Sequence, residues 1–371
     1  MINKVAIILV NYRDYAEQYL ADCLASLRRQ DFIGTSKIFI VDNEATAKTV
    51  NYLATNAPEA EVITNKENDG WCKGNNDGIK RAITQGFEYF VLLNLDTVVE
   101  ENWLSELTRT ADQAPNWGAI QSRLMLWPEK EKINSVGNSL HYLGFGYSAG
   151  GYQKWPMADP FGFAQGRSRW SASPERKRGE PMASEITYFS GAAVLLKKEA
   201  LDKVGLFDEE FWMYHDDLDL SWRLRLAGYQ IYLAPLSVVY HKYQFSKSIQ
   251  QYYWMEHNRF ICLLTNYKLA TGILILPALI IMELGLLFFA LLRGFLIEKM
   301  RVYGWFLKPS SWSYLIRRKK KISQLRQVKD REIVKYLTGE IKFQEVNNLA
   351  LKVANPIFNL YWQVVRRLIF W

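Results

Sequence analysis

The chain has 371 residues, 49% of them hydrophobic, which supports a sizeable core and argues against a disordered polymer. Its net charge of +8 is unevenly placed: residues 298–371 hold 16 Lys and Arg against 5 Asp and Glu, a balance of +11, leaving −3 on residues 1–297. A mildly acidic body argues against nucleic acid as a partner, and a basic tail argues for an anionic surface, most simply the cytoplasmic face of a membrane.

The first residues run straight into a strand-like segment at 5–10, without a signal-peptide layout. Asn11 and Tyr12 follow, then an amphipathic helix carrying Tyr19, Leu20, Cys23, Leu24 and Leu27. Cys23, Cys72 and Cys262 are scattered and odd in number, so neither a disulfide framework nor a cysteine zinc site is suggested, and a reducing compartment fits. A second strand at 37–41 ends in Asp42-Asn43, and a short third covers 61–65. Next comes the Gly-rich stretch from Asn68 to Gly78, leading into a helix. Gly70, Gly74 and Gly78 would let backbone approach a ligand closely, but their spacing matches neither common phosphate-loop fingerprint. The fourth strand, 89–96, is an apolar run that stops abruptly at Asn94-Leu95-Asp96-Thr97. Strands alternating with helices predict a parallel α/β sheet with right-handed crossovers.

Such sheets bind ligands at the carboxyl ends of their strands, where Asp42 and Asp96 should gather. Asp96 there is a hard oxygen donor for a divalent cation that can hold a diphosphate; the bland alternative is a helix cap. Asp42 can accept from a base N–H or a ribose hydroxyl, or simply stop its strand in an Asx-turn.

Residues 144–184 are rich in Gly, Pro, Ser and Arg and read as a substrate lid or a tolerated insertion, with Arg167, Arg169, Arg176 and Arg178 as candidate phosphate contacts. A strand returns at 186–196, interrupted by Ser190-Gly191-Ala192, small residues that leave room beside a ligand. Beyond it, Asp216 or Asp217 starts a helix with Leu220, Leu224 and Ala227 at helical spacing and Gly228 at its end. Capping explains one acid there. Three among four residues, Asp216, Asp217 and Asp219, imply a nearby cation or a carboxyl with a raised pKa. Two short strands, 231–233 and 237–240, lead to His241, a structural residue or a ligand.

Residues 270–297 are long and apolar enough to approach a bilayer span, but Pro277, Glu283 and Gly285 favour a broken, shallowly inserted helical hairpin. The basic run Arg317-Arg318-Lys319-Lys320-Lys321 follows. The final stretch, from Pro356 to Trp371, reads as an interfacial amphipathic helix, with a soluble helical subdomain or an oligomer contact as the alternative. The expected division is therefore a catalytic body at 1–247 and a helical region at 248–371, hydrophobic at 270–297, basic at 298–340 and amphipathic at 341–371.

Together these motifs resemble the family 2 glycosyltransferases of GT-A fold, and among them the bacterial rhamnosyltransferase-like members. The resemblance rests on Ile40–Asn43, on Asn68-x-Gly70 with Gly74-Asn75-Asn76-x-Gly78, on Asn94–Thr97, and on Phe207-Asp208-Glu209 with Tyr214–Leu220 and Arg223–Gly228. It implies a GT-A-type, Rossmann-like, mostly parallel sheet flanked by helices, plus a C-terminal helical membrane-associated region. It also implies a donor side formed by Asn11, Asp42, Asn68, Gly70, Trp71, Gly74, Asn75 and Asn94, and Mg²⁺ or Mn²⁺ on Asp96, completed by His241. Asp217 would be the catalytic base, with Asp216 and Asp219 in support. Gly191, Trp212 and Tyr214 would face the acceptor, although Trp71, Trp212 and Tyr214 read equally well as core aromatics. Two departures stand out: Asn94 replaces a first Asp in the metal motif, and His215-Asp216 replaces a Glu-Asp pair.

The implied activity is inverting transfer of a sugar from dTDP-rhamnose or a UDP-hexose to a glycan or polyprenyl-linked hydroxyl in cell-surface polysaccharide synthesis. The rivals are a non-catalytic nucleotide-sugar-binding subunit docked on a membrane and a sugar nucleotidyltransferase. The latter needs a basic fingerprint near the N-terminus, where only Arg13 stands.

Overall fold

The computed structural model describes residues 1–155, 183–243, 249–342 and 349–371. The arginines of the expected lid, Arg167, Arg169, Arg176 and Arg178, lie outside the described residues. The chain divides into two compact units. One comprises Met1–Asn138, Ser148–Trp212 and Tyr229–Gln244, the other Ser139–Tyr147, Met213–Gly228 and Phe245–Trp371. The acidic helix after Tyr214 therefore groups with the helical region, where the sequence placed it in the catalytic body.

In chain order the elements begin with β1 (Lys4–Tyr12), α1 (Tyr15–Leu27), β2 (Thr35–Asn43), α2 (Ala47–Asn56), β3 (Glu61–Thr64), α3 (Gly70–Thr84) and β4 (Tyr89–Leu93). Then come β5 (Thr97–Val99), α4 (Trp103–Gln113), β6 (Trp117–Leu126), β7 (Ile133–Ser135), β8 (Asn138–His141) and β9 (Gly146–Ser148). After the undescribed segment follow β10 (Ser184–Glu185), β11 (Ala193–Lys197), α5 (Lys198–Val204), α6 (Asp216–Leu226) and β12 (Gln230–His241). The rest is helical except for one short strand: α7 (Ile249–Asn266), α8 (Leu269–Arg293), α9 (Leu296–Phe306), α10 (Pro309–Leu325), α11 (Asp330–Ile333), β13 (Leu337–Thr338) and α12 (Leu349–Leu368).

The first unit is built on a ten-stranded mixed sheet with the path β10-β12-β6-β11-β4-β1-β2-β3. β1 to β4 are mutually parallel, and β6 and β12 run the same way; β5, β7, β10 and β11 oppose them. β1 and β4 are buried almost along their whole length, which is why they read as continuous apolar runs. The two short strands expected before His241 are one strand, β12, with an irregular register against β6 between Ala234 and Val238.

The Gly-rich stretch is largely helix: α3 starts at Gly70. Its glycines serve packing. A Cβ on Gly74 would lie 2.9 Å from Val10 Cγ1, and one on Gly78 would lie 2.5 Å from Ile8 Cγ2, so α3 presses onto β1 too closely for any side chain. The close approach expected towards a ligand is, at these two positions, an approach to the sheet.

The second unit packs α6 to α12 around buried aromatics, such as Tyr142 stacked on Trp362 at 4.6 Å, beside the small sheet β13-β8-β9. The hydrophobic segment expected as a broken hairpin is a single helix, α8, that continues through Pro277. Glu283 near its middle is partnered by the buried cations Arg259 and Lys299 and by the Tyr303 hydroxyl at 2.8 Å. Arg259 and Lys299 also share Glu256, so the four charges balance.

Candidate functional site

Parallel strands of the first unit end at one edge of the sheet, and that edge holds the acidic position. β4 stops at Leu93, and Thr97 Oγ1 donates to Asn94 O at 2.7 Å, turning the chain back into β5. β5 pairs with the end of β12, Thr97 opposite His241, while Lys242 N donates to Asp96 O at 2.8 Å. These main-chain bonds bring Asp96 and His241 together with 144 residues between them in the sequence. Both side chains are buried, and His241 Nε2 lies 3.2 Å from Asp96 Oδ1.

That contact is not aligned as a hydrogen bond. Among the described residues Asp96 Oδ1 has no hydrogen-bond partner. The other ring nitrogen of His241, Nδ1, lies 3.0 Å from Asn134 Oδ1, which can only accept. With Asn134 Oδ1 accepting from Nδ1 and the imidazole neutral, Nε2 presents a lone pair beside a carboxylate oxygen. Two unprotonated donors side by side, each aimed past the other, suit a cation better than each other. A separation near 3 Å is what adjacent ligands of an octahedral ion with bonds of roughly 2.1 Å would show. The residues therefore fit a divalent metal. No group of three His, Cys, Asp or Glu able to hold one occurs among the described residues, so this chain would supply two ligands and leave the remaining positions to substrate and water. Burial, then Asp96, push the Tyr15 phenol well up.

The remaining donor-side residues separate into a frame and a face. Asp42 is fully buried, with Oδ1 accepting from Asn11 Nδ2 at 2.6 Å and Oδ2 from Thr49 Oγ1 at 2.6 Å. Asn11 Oδ1 in turn accepts from Ala16 N in the first turn of α1. Asp42 and Asn11 thus tie β1, β2, α1 and α2 together. Asn68 Oδ1 accepts from Gly70 N, and Asn75 Nδ2 donates to Trp71 O. Gly70 has φ +84°, and a Cβ there would lie 2.4 Å from Trp212 Cδ1. Trp212 itself closes the start of α3: its carbonyl accepts from Cys72 N at 3.2 Å and its Nε1 donates to Asn68 O at 3.3 Å. This Trp is a plug on the helix terminus, in the left-handed region at φ 55°. The face is formed by Trp71 and Asn94, both half-buried; Gly191, expected on the acceptor side, is buried against the indole. The half-buried Trp71 ring packs edge-on to Phe207 at 5.0 Å, and its Nε1 is 3.5 Å from Asn94 Oδ1. A Cβ on Gly191 would lie 2.7 Å from the same ring, so Gly191 makes room for Trp71.

In the second unit the acidic cluster opens α6. Asp219 is fully buried and accepts from Arg223 Nε at 2.8 Å, from Asn266 Nδ2 at 3.2 Å and from the Arg318 guanidinium. Burial pushes its carboxyl up, and Arg318 and Arg223 pull it down further, so the net direction is down. The cation that three close acids called for is, at Asp219, a pair of arginines. That position is a structural ion pair. Asp216 is buried and Asp217 half-buried, with Asp217 Oδ1 accepting from Leu218 N at 2.7 Å. Before them, Tyr214 and His215 both have positive φ, 63° and 59°. Asn258 Nδ2 donates to the carbonyls of Met213 and Tyr214, and His215 Nε2 lies 3.1 Å from Gly144 O, so α7 and the 139–147 segment hold the strained entry. The Tyr214 phenol is pushed up to about 12, by burial first and Asp216 second.

Sequence reasoning missed Asn134. It lies on a three-residue strand in a region of Gly and Pro turns, and nothing in the local pattern marks it.

A mixed sheet flanked by helices, with an acidic strand end at its carboxyl edge, fits the GT-A fold. Residues 6–205 match the profile described as Glycosyl transferase family 2, and the chain belongs to that family. It is similar to the N-acetylglucosaminyl-diphospho-decaprenol L-rhamnosyltransferase of Mycobacterium tuberculosis, at 22% identity over 262 residues, 65% of this chain and 77% of the relative. It is also similar to the poly-beta-1,6-N-acetyl-D-glucosamine synthase of Staphylococcus aureus, at 24% identity over 173 residues, 47% of this chain and 34% of that protein. Among solved structures, GalNAc-T7 with UDP, GalNAc and Mn²⁺ shares the fold, with a TM-score of 0.50 and 12% identity over 70% of this chain; the chain spans about half (48%) of that protein.

Proposed function

We propose that this glycosyltransferase moves a sugar from a nucleotide diphosphate to an acceptor hydroxyl with inversion, using a divalent ion held by Asp96 and His241. The observation that carries the reading is the buried pair of Asp96 Oδ1 and His241 Nε2, with Oδ1 lacking a hydrogen-bond partner among the described residues. A bound Mg²⁺ or Mn²⁺ would supply charge to the diphosphate as it leaves. Asp96 and His241 would fix the position of that charge, and Asn134 would keep Nε2 unprotonated towards it. Trp71 and Asn94 would orient the donor beside them. Asp217 would take the proton from the attacking hydroxyl, and one base with one displacement inverts the anomeric carbon.

The names of the relatives support the finer choice of substrates. A rhamnosyltransferase acting on a diphospho-decaprenol-linked sugar favours activated rhamnose as donor and a polyprenyl-diphosphate-linked glycan as acceptor, with a UDP-hexose next. Thermal stabilisation of the chain across a panel of nucleotide sugars, with and without Mn²⁺, reads the donor directly, since a ligand of the folded state raises apparent stability. The catalytic roles separate by variant. Asp217→Asn should lower turnover ~10²–10⁴-fold with donor affinity unchanged. Asp96→Ala should weaken donor and metal binding together. Equal loss of donor affinity in both variants would overturn the assignment.

A further inference from the structure

The helical unit exposes an apolar surface that its own packing does not cover. On α8, Ile273, Leu276, Ile280, Leu284, Phe288 and Leu291 follow each other at intervals of three and four, which places them on one face. α12 repeats the pattern with Val353, Ile357, Leu360, Val364 and Leu368. The two helices lie together: Tyr361 Oη donates to Leu274 O at 2.6 Å, and Trp371 Nε1 to Thr271 Oγ1 at 2.9 Å. These side chains are between 46% and 70% exposed, an apolar area on the order of 1,000 Å², well above the roughly 300–600 Å² patch of an ordinary monomer.

A bilayer can take this surface in two ways, and the charges choose between them. Among the described residues α8 is the one helix long and apolar enough to cross a membrane, 25 residues or about 37 Å. But Glu283 ties its middle to Arg259 of α7 and Lys299 of α9. α9 also displays Arg301, whose side chain is 62% exposed. A spanning α8 would carry that cluster and Arg301 to the depth of the acyl chains. A helix lying in the interface keeps the ion cluster on its protein side and only the apolar stripe in lipid.

The rim of the surface is cationic. Lys352, Arg366 and Arg367 are exposed along the α12 stripe, and Arg293 ends α8. None of the four makes an ion pair among the described residues. α12 contains no acidic residue, and the single acid of α8 is the occupied Glu283. A second copy docked face to face would find no carboxylate for these cations on α8 or α12, whereas an anionic leaflet supplies them.

We propose that α8 and α12 form one in-plane membrane face, with acyl chains against the two stripes and anionic headgroups at Lys352, Arg366 and Arg367, and that α8 does not cross the bilayer. The proposal rests on the helical unit alone and stands or falls independently of the catalytic assignment.

The test is flotation of the full chain with phosphatidylcholine vesicles and with vesicles containing about 30% phosphatidylglycerol. Binding should be roughly tenfold stronger to the anionic vesicles, and Arg366→Glu with Arg367→Glu should remove that difference. Ile357→Glu with Leu360→Glu should abolish flotation on both. Nitroxides at Ile273→Cys, Ile280→Cys and Leu291→Cys should report one shallow depth. A label at position 280 much deeper than the other two would establish a span and overturn the proposal. So would equal binding to both vesicle types. Absence of flotation, together with a concentration-dependent dimer, would hand the surface to a second copy. If the α12 glutamate pair fails to fold, the arginine pair and the depth profile still decide.

Discussion

An imidazole has two nitrogens, and which one carries the proton decides what His241 can hold. Asn134 Oδ1, 3.0 Å from Nδ1, favours the neutral tautomer that leaves the lone pair on Nε2, 3.2 Å from Asp96 Oδ1. Loss of an orienting partner of this kind typically costs a metal site 10–100-fold in affinity. Asn134→Leu should therefore weaken Mn²⁺ binding by roughly that factor, read by titration of the free-ion electron paramagnetic resonance signal. Asn134→Asp, which still accepts, should retain it. Unchanged Mn²⁺ affinity in a folded Asn134→Leu chain would remove Asn134 from the site. The acid Asp96 was legible in the sequence because an apolar run ended on it. Asn134 was not, because a residue that orients another across strands carries no local pattern.

At the scale of the element, α3 shows how one motif can be read correctly for composition and differently for cause. Gly74 and Gly78 looked like room for a ligand, yet each faces a β1 side chain across less than an ordinary contact distance. Gly78→Ala should cost about 1–3 kcal/mol in urea unfolding through overpacking against Ile8. Gly285→Ala, on α8 with nothing within 4 Å of the added carbon, should instead be neutral or stabilise by about 0.5–1 kcal/mol. A Gly78→Ala chain as stable as the wild type would mean that α3 does not pack where it is placed. α6 makes the same point with charge. Its clustered acids read from the sequence as a demand for a cation, and at Asp219 that demand is met by Arg223 four residues on and by Arg318 from a distant helix. Only the first partner stands at a spacing that sequence can reveal.

At the scale of the whole molecule, the second unit carries two buried histidines, His141 and His257, and a half-buried third, His215, whose imidazoles are held neutral. Burial pushes His141 down to about 3, and His215 and His257 down to about 4. In the unfolded chain each would titrate near 6.5. Above that pH both states are neutral and nothing is lost. As pH falls from about 6.5 towards 4, the unfolded chain binds protons that the folded unit refuses, so stability drops by up to about 1.4 kcal/mol per pH unit for each histidine. Calorimetry between pH 7 and 5 should show the transition of the helical unit falling steeply, and His257→Phe should flatten the slope by about a third. A transition that does not move over that range would mean the histidines are not buried neutral.

The order of strands and helices through β4, the acid at the end of β4 and the amphipathic stretches of the C-terminal region all followed from the sequence. They depend on local periodicity and on where apolar runs stop, and both are written into neighbouring residues. The pairing of Asp96 with His241, the tautomer set by Asn134, the arginines that neutralise Asp219 and the partners of Glu283 were decided by tertiary structure. Each joins residues far apart in the chain, and such contacts exist only once the strands have found their register and the helices their neighbours.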